Sequence, residues 1–144
     1  MDDCIFCKMV AGEIPVVKVY EDEAVLAFLD IGPISDGHTL VIPKVHCGKV
    51  HECDPQVLAD VWSRLGRIAG AIAGAMKADG YNVLCNNGRA AGQIVDHLHF
   101  HTHRKTNINR TRHQAQVPIR SDFCESSLRF PRCGLRDTCG RATA

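Results

Sequence analysis

The stretch "HLHFHTH", residues 97–103, places a histidine at every second position. Period two is the repeat of a β-strand, so the pattern predicts a strand over residues 95–103, with the four histidines on one face. Leu98 and Phe100 then point to the other face, into a core. Histidines on one face would lie roughly 6–7 Å apart, too far for four rings to close on one ion. The row therefore predicts imidazoles that face a bound anion, and a histidine-rich tract that binds metal ions without a defined site is the alternative.

The segments around this row predict an α+β domain. Four further strands have apolar and β-branched residues bounded by turn residues, at 16–23, 24–30, 38–43 and 81–87, and a glycine-containing loop follows at 88–93. Residues 54–80 repeat apolar side chains every three or four positions, which predicts one long helix. Asp54 is expected as its N-cap, Pro55 as its first residue, and Gly80 as the residue that ends it.

Three glycines, Gly66, Gly70 and Gly74, recur every fourth residue in the predicted helix. Each costs about 1 kcal/mol of helix stability relative to alanine. Close approach of another backbone and simple tolerance in a well-packed helix are both compatible with the pattern.

Length and composition indicate one globular domain. The chain has 144 residues, 45% of them hydrophobic, and a net charge of +1. No apolar run approaches the roughly 18 residues of a membrane span, and the start "MDDCIFCKMV" lacks a signal-peptide pattern, so we expect a cytoplasmic protein without a membrane anchor. The eight cysteines are therefore expected to be thiols or metal ligands and not a disulfide framework.

The charge divides the chain after residue 103. Residues 104–144 hold nine Lys and Arg against three acidic residues, a net +6, which leaves about −5 for residues 1–103. The segment has no helical or strand period, and we expect an irregular or disordered basic tail behind a domain at 1–103. A reading-frame shift in the coding sequence would produce such a break, and a native extension is the alternative.

Cys4 and Cys7 form a C-x-x-C pair near the start of the chain. A redox pair usually begins a helix in a βαβ unit, whereas the strands here look antiparallel. A zinc site usually takes four nitrogen or sulfur ligands, and His46 and His97 lie at strand ends that could meet the pair. Two ordinary small apolar cysteines are the remaining interpretation.

Three ordered motifs together resemble the histidine triad (HIT) family of nucleotide hydrolases and transferases: "CIFCKMVAGEIPVVKVYEDEAVLAFLDIGPISDGHTLVIPKVH", "NNGRAAGQ" and "HLHFH". The resemblance covers residues 2–103 and is to the branch with an N-terminal C-x-x-C zinc site. It implies an antiparallel sheet of about five strands with one long helix and a short N-terminal helix. It also implies a homodimer whose sheets continue across the interface.

The resemblance further implies roles for individual residues. The family motif His-φ-His-φ-His-φ-φ, with φ hydrophobic, makes His99 the nucleophile towards an α-phosphate, flanked by His101 and His38. The remaining implied binding residues are Asp30 for the ribose, Phe28 and Ile31 for the base, and Asn86 and Gln93 for phosphate oxygens or the leaving group. The implied ligands of a structural zinc are Cys4, Cys7, His46 and His97. Taken singly, Asp30 is also compatible with a turn residue, Asn86 with a strand-end cap and Gln93 with a solvated side chain.

The expected activity is hydrolysis of a purine nucleotide conjugate, a phosphoramidate or an aminoacyl-adenylate, to a nucleoside monophosphate. Neutral imidazole is a good nucleophile when an acceptor holds its other nitrogen. Two positions depart from the family pattern: Thr102-His103 replaces an apolar pair, and Ile94 stands where related enzymes often have a serine that can assist the leaving group. The alternatives are a diadenosine polyphosphate hydrolase and a zinc-stabilised module that binds protein, or nucleic acid through the basic tail.

Overall fold

The computed structural model describes residues 3–106, which form an antiparallel five-stranded sheet with one long and one short helix. The strand order is β1-β2-β3-β5-β4. The elements in chain order are α1 (Ile5–Val10), β1 (Lys18–Glu21), β2 (Val25–Leu29), β3 (Thr39–Pro43), α2 (Pro55–Ala75), β4 (Gly80–Leu84) and β5 (Phe100–Lys105). The expected α+β class, the five strands and the short N-terminal helix are confirmed.

The two central strand pairings place the histidines. β2 and β3 pair along their whole length and are almost entirely buried, as their run of apolar residues requires. β5 then pairs with β3 through Thr39 and Thr102, which brings His38, just before β3, beside the histidines of β5. Two segments 63 residues apart in the chain therefore meet at one end of the sheet.

The sheet separates two cores. On one face, α2 packs Val61, Leu65 and Ile68 against Leu98 and Phe100. On the other face, α1 covers a smaller cluster, which contains Phe6, Met9, Leu26, Phe28, Leu40 and Ile42. Leu98 and Phe100 thus point away from the histidines, as the alternating pattern predicts.

The start of α2 agrees with the sequence, and its end does not. Asp54 caps the helix by accepting a hydrogen bond from Gln56 N at 2.7 Å, and Pro55 is the first helical residue. The prediction that Gly80 ends the helix is wrong, because α2 ends at Ala75 and Gly80 begins β4. Lys77 takes the left-handed conformation with φ 48°, and the next residue closes the turn by donating from Ala78 N to Ala73 O at 2.9 Å.

The sequence predicts the last strand over residues 95–103, but the observed strand lies further along the chain. β5 begins at Phe100 and runs to Lys105, so His97 and His99 precede it. Both side chains still lie on the α1 side of the sheet, because Phe6 contacts both rings. The basic tail lies outside the described residues from 107 onward.

The three glycines of α2 are not in close contact with another segment of the described residues. A Cβ added at Gly66, Gly70 or Gly74 would meet no atom within 4 Å, so no backbone within residues 3–106 approaches them closely.

Cys47 and Cys53 form a disulfide with their Cα atoms 5.4 Å apart, so the expectation of thiols or ligands is wrong for this pair. The short 3₁₀ turn Val50–Glu52 between them folds the loop back and brings the two ends together.

Neither helix of the described residues has the length and apolarity that a membrane crossing needs.

Replacing Lys77 by glycine should stabilise the domain. A non-glycine residue pays about 1 kcal/mol or more for the left-handed conformation, and Lys77→Gly removes that strain. We expect the melting temperature to rise by about 3 °C, measured by thermal unfolding. The matched control is Ala71→Gly inside α2, which should cost about 1 kcal/mol and lower the melting temperature. A decrease for both variants would contradict the assigned helix end.

Candidate functional site

His99 is held by its own backbone neighbourhood. Its Nδ1 lies 2.7 Å from the carbonyl oxygen of His97, and the ring is 5% exposed. A carbonyl oxygen can only accept, so Nδ1 carries the proton and Nε2 keeps its lone pair. The edge of the Phe6 ring packs against the imidazole with the ring centroids 5.4 Å apart. The described structure therefore presents an oriented imidazole whose Nε2 is not engaged by this contact.

His38 and His101 form a hydrogen-bonded pair beside it. His38 Nε2 lies 2.9 Å from His101 Nδ1, and Ile34 N donates to His38 Nδ1 at 3.4 Å. With the His38 proton on Nε2, the tautomer that the Ile34 contact favours, His38 donates to His101 and the His101 proton lies on Nε2. The rings of His99 and His101 are 4.9 Å apart between centroids. The pair can thus offer an N–H to an anion that the His99 ring also contacts.

Burial favours the neutral forms of His38 and His101. Burial, together with the neighbouring histidines, lowers the pKa of His101 to about 4. Burial also lowers the pKa of His38, and the carboxylate of Asp30 opposes that change from 3.3 Å away. Hydrogen bonding through N–H groups, and not through fixed positive charge, is therefore the interaction available near pH 7.

The residues expected to bind the nucleoside differ in how far their side chains are exposed to solvent. Asp30 accepts from Gly32 N at 2.8 Å, so it is the turn residue that one interpretation expected, and its second oxygen faces His38. Phe28 is 3% exposed and meets Phe6 edge to face, with ring centroids 5.7 Å apart. Ile31 is 98% exposed and contributes an open rim.

Phe6 is the aromatic residue that the sequence reasoning missed. It contacts the rings of Phe28, His97 and His99, and so joins the two groups of expected site residues. Its position between Cys4 and Cys7 was the available signal, because any site that gathers this pair brings the intervening side chains with it.

The side chain of Gln93 holds the glycine-containing loop at 88–93 in place through hydrogen bonds to backbone atoms. Its Oε1 accepts from Gly88 N at 2.6 Å and its Nε2 donates to Gly48 O at 2.7 Å, while the side chain is 4% exposed. The alternative of a solvated side chain is therefore wrong. Asn86 donates to Gly92 O at the far end of the same loop at 3.5 Å.

Ile94, which follows this loop, is 81% exposed. It borders a cavity of about 210 Å³. The cavity is lined by Lys49, Gly88, Arg89, Gln93, Ile94 and Asp96. Two basic side chains, and no hydroxyl, therefore border the space beside the position after Gln93.

Cys4, Cys7, His46 and His97 meet in one cluster. The Sγ of Cys4 lies 3.5 Å from His97 Nδ1, and the Sγ of Cys7 lies 3.3 Å from His46 Nδ1 and 3.6 Å from His97 Nδ1. The two Nδ1 atoms are 3.2 Å apart. The far nitrogen of His97 lies 2.9 Å from Pro43 O, which fixes the ring.

These distances fit a tetrahedral zinc ion. With Zn–S near 2.3 Å and Zn–N near 2.05 Å, a tetrahedron has S···N edges of about 3.6 Å and N···N edges of about 3.3 Å. The Pro43 carbonyl also gives His97 the outer partner that metal-bound imidazoles usually have. The donor set and its geometry thus match a closed four-ligand site.

All the residues expected in the metal and histidine groups therefore come together, with His97 common to both. His97 supplies Nδ1 to the cluster and its carbonyl oxygen to His99. Ile31, which was expected to contact the base, and Ile94, which follows Gln93, are both exposed at the surface.

The sequence of this chain is similar to those of known proteins. The HIT domain model matches residues 11–107. The chain is 46% identical over 100 residues to the adenylylsulfatase HINT3 of Arabidopsis thaliana, covering 69% of this chain and 51% of that protein. It is 51% identical over 104 residues to the adenosine 5′-monophosphoramidase hnt1 of Schizosaccharomyces pombe, covering 72% and 75%. The chain thus spans about half the length of the Arabidopsis relative.

A solved structure shares the fold. A zinc-bound histidine triad family protein from Mycobacterium smegmatis matches with a TM-score of 0.72 and 39% identity, over 77% of this chain and 81% of that chain. Sequence, fold and the arrangement of the histidines thus agree, and this chain belongs to the HIT domain family.

Proposed function

We propose that the protein hydrolyses purine nucleotide conjugates at the α-phosphate, through a nucleotidyl-histidine intermediate, and releases a nucleoside monophosphate. Phosphoramidates and aminoacyl-adenylates are the substrate class. Relatives named adenosine 5′-monophosphoramidase and adenylylsulfatase support an adenylyl substrate. The observation that carries the proposal is the 2.7 Å contact of His99 Nδ1 with the His97 carbonyl, because it leaves Nε2 free to attack.

In the first step the lone pair of His99 Nε2 forms a bond to the α-phosphorus. The P–N or P–O bond to the leaving group breaks, and the leaving group takes that electron pair. In the second step a water oxygen attacks the phosphorus, the N–P bond returns its electrons to His99, and the water proton leaves to solvent. Ile94 carries no proton to give, so a leaving group that is protonated by solvent or is already a stable anion suits this site best.

His101 and His38 stabilise the phosphorus centre by hydrogen bonding. The proton donated from His38 Nε2 to His101 Nδ1 supports the geometry in which His101 Nε2–H faces a phosphate oxygen. Donors that are already in place stabilise developing charge without reorganising in the transition state.

The nucleoside is held beside this centre. Asp30 keeps acceptor capacity for the ribose hydroxyls, because a carboxylate has about four acceptor sites and few of them are used. Phe28 and Ile31, joined by Phe6, form the apolar wall for the base. Asn86 contacts phosphate oxygens directly, whereas Gln93 acts mainly by fixing the loop, since its amide is already paired.

Replacing the nucleophile should stop turnover without unfolding the protein. We expect His99→Ala to lower kcat on adenosine phosphoramidate by roughly 10⁴-fold or more, while AMP binding persists because the pocket walls remain. Quenched wild-type enzyme should carry a nucleotidyl adduct on His99 by mass spectrometry. His51→Ala, at an exposed histidine outside the site, is the control and should behave as wild type. Substantial residual activity of His99→Ala would remove His99 from this role.

Two other functions make different predictions. A diadenosine polyphosphate hydrolase would turn over dinucleotides faster than phosphoramidates in a direct comparison of kcat/KM. A zinc-stabilised binding module would show no turnover, and nucleic-acid affinity contributed by the basic tail would fall steeply with salt. The orientation of the His99 ring favours catalysis over a binding module, and the names of the relatives favour phosphoramidates over dinucleotides.

We further propose that Cys4, Cys7, His46 and His97 hold a structural zinc ion. A closed set of four ligands leaves no position for substrate, so the ion would serve stability and not the reaction. It would tie α1, and with it Phe6, to the His97 segment. We also propose a cytoplasmic location on the ground of the two free thiols Cys4 and Cys7, against which stands the disulfide between Cys47 and Cys53.

The zinc proposal predicts about one zinc ion per chain in purified protein, by elemental analysis. Cys7→Ser should lose the ion and lower the melting temperature, because metal binding is coupled to folding. Cys85→Ser is the matched control, since this thiol lies outside the cluster, and it should retain zinc. Stoichiometric zinc in Cys7→Ser would show that the ligands are others.

We also propose a homodimer joined along β4. This edge strand is uncharged and exposes Tyr81 and Leu84, whereas the opposite edge β1 carries Lys18 and Glu21. Uncharged edges pair readily with a second strand, and charged edges resist it.

Light scattering should give a mass about twice the 15.8 kDa of the chain. Tyr81→Lys on β4 should weaken the dimer, because a buried lysine at the interface loses hydration. Val19→Lys makes the same kind of change on β1 and should leave it intact. Dissociation by Val19→Lys alone would assign the interface to the other edge.

The boundary between a domain at 1–103 and a tail at 104–144 is likewise a proposal. β5 extends two residues beyond it, to Lys105. Limited trypsin digestion followed by mass spectrometry and AMP titration tests whether nucleotide binding survives removal of the basic segment.

A further inference from the structure

His103 has a buried nitrogen that the proposed reaction does not use. It stands where the family motif has a hydrophobic residue, and its side chain is 5% exposed. Its Nδ1 is buried without a hydrogen-bond partner among the described residues. The ring lies 4.2 Å from His38 and 5.6 Å from His101 between centroids. Leaving a buried imidazole nitrogen without a partner is unfavourable, which indicates a ligand for it.

We propose that His38, His101 and His103 form a second metal site, which takes a divalent transition-metal ion such as Zn²⁺ and blocks the catalytic histidines when it is filled. The binding stands on these three residues alone. The inhibition rests on the function proposed above.

The geometry of the three rings suits one ion. One nitrogen of each ring lies within 4.8 Å of the others. His38 Nε2 and His101 Nδ1 are 2.9 Å apart, close to the edge of about 3.3 Å that two nitrogens have around tetrahedral zinc. The ion would replace the proton that these two nitrogens share, and a small rotation of His103 completes the set.

Asp30 is placed to support the ion from outside. When His38 binds metal through Nε2, its proton moves to Nδ1, and Asp30 Oδ2 lies 3.3 Å from that atom. A carboxylate behind a metal-bound imidazole fixes its tautomer and raises its basicity.

An open path reaches the site. A cavity of about 310 Å³ borders His103. Its lining residues are Ile34, Ser35, Asp36, His103, Arg104, Lys105 and Thr106. Ser35, whose Oγ is the other buried side-chain atom without a partner among the described residues, belongs to the same lining. Three protein ligands and one water make an open site.

The nearby cations do not prevent binding. Arg104 is paired with Asp36 at 2.6 Å, and Lys105 is exposed, so water screens its charge. Asp30 adds a negative charge on the opposite side. Three neutral imidazoles nevertheless bind zinc less tightly than a set with two thiolates, so the cysteine cluster fills first.

The test is a Co²⁺ and Zn²⁺ titration of the full chain after its metals have been removed. The first equivalent should enter the cysteine cluster and give a thiolate-to-cobalt charge-transfer band. The second should bind with a calorimetric signal of its own and add only ligand-field bands, because its ligands are nitrogens. Saturation of the wild-type protein after one equivalent would overturn the proposal whatever the variants do.

His103→Ile installs the apolar residue that the family motif has, and should weaken the second site at least about 100-fold, more than loss of an outer-shell partner does. His103→Asn, which keeps a polar side chain, gives a second variant should the isoleucine disturb folding. His51→Ile is the matched control and should keep both sites, and Cys7→Ser should lose only the first. Equal uptake by wild type and both His103 variants would assign the second ion to other residues.

Turnover completes the test. Zn²⁺ above one equivalent should inhibit the wild-type enzyme reversibly, with recovery on adding a chelator. His103→Ile should keep its basal rate and need at least about 100-fold more zinc for the same inhibition. If no turnover is found at all, the proposed function fails while the titration still decides the metal site. Equal sensitivity of wild type and His103→Ile would overturn the inhibitory role.

Discussion

The imidazole of His97 is the point on which the site depends. It is fully buried, and its Nε2 lies 2.9 Å from the carbonyl oxygen of Pro43 at the end of β3. Its Nδ1 faces the cysteine cluster, and its carbonyl oxygen holds the ring of His99. One residue thus links the N-terminal helix, the centre of the sheet and the oriented histidine. A buried ring with both nitrogens engaged has little freedom to turn, and the carbonyl of the same residue is fixed with it.

Around that point the site is built from backbone more than from side-chain pairs. Carbonyl oxygens hold His97, His99 and the amide of Gln93, and a backbone N–H approaches His38. Backbone groups in a sheet or a fastened loop move little, so they fix tautomers without adding charge. Burial in the same region lowers the pKa values of His38 and His101, which favours their neutral forms.

Two residues of this chain, His103 and Ile94, depart from the family pattern. His103 adds a fourth imidazole to the catalytic side of the sheet, next to His38 and His101. Ile94 replaces a hydroxyl with an exposed apolar side chain at the edge of the loop that Gln93 fastens. The first places another imidazole beside the existing pair, and the second is a side chain that has no proton to donate.

The sequence by itself determined the parts that depend on local chemistry. Period-two alternation predicted that Leu98 and Phe100 enter a core opposite the histidines, and the Asp54-Pro55 pair predicted where α2 begins. The ordered motifs also named the residues that gather around His97, because each motif is a short, recognisable string.

Only the tertiary structure decided what depends on contacts between distant segments. α2 ends at Ala75 and not at Gly80, since the chain turns at Lys77 to enter β4. Phe6 reaches His99, and Cys47 meets Cys53, because α1 and the loop before α2 are folded back on the sheet. The pairing of β3 with β5 places the His103 ring beside that of His38. Local preference decides the type of an element, whereas burial and long-range pairing decide where it stops and which side chains it brings together.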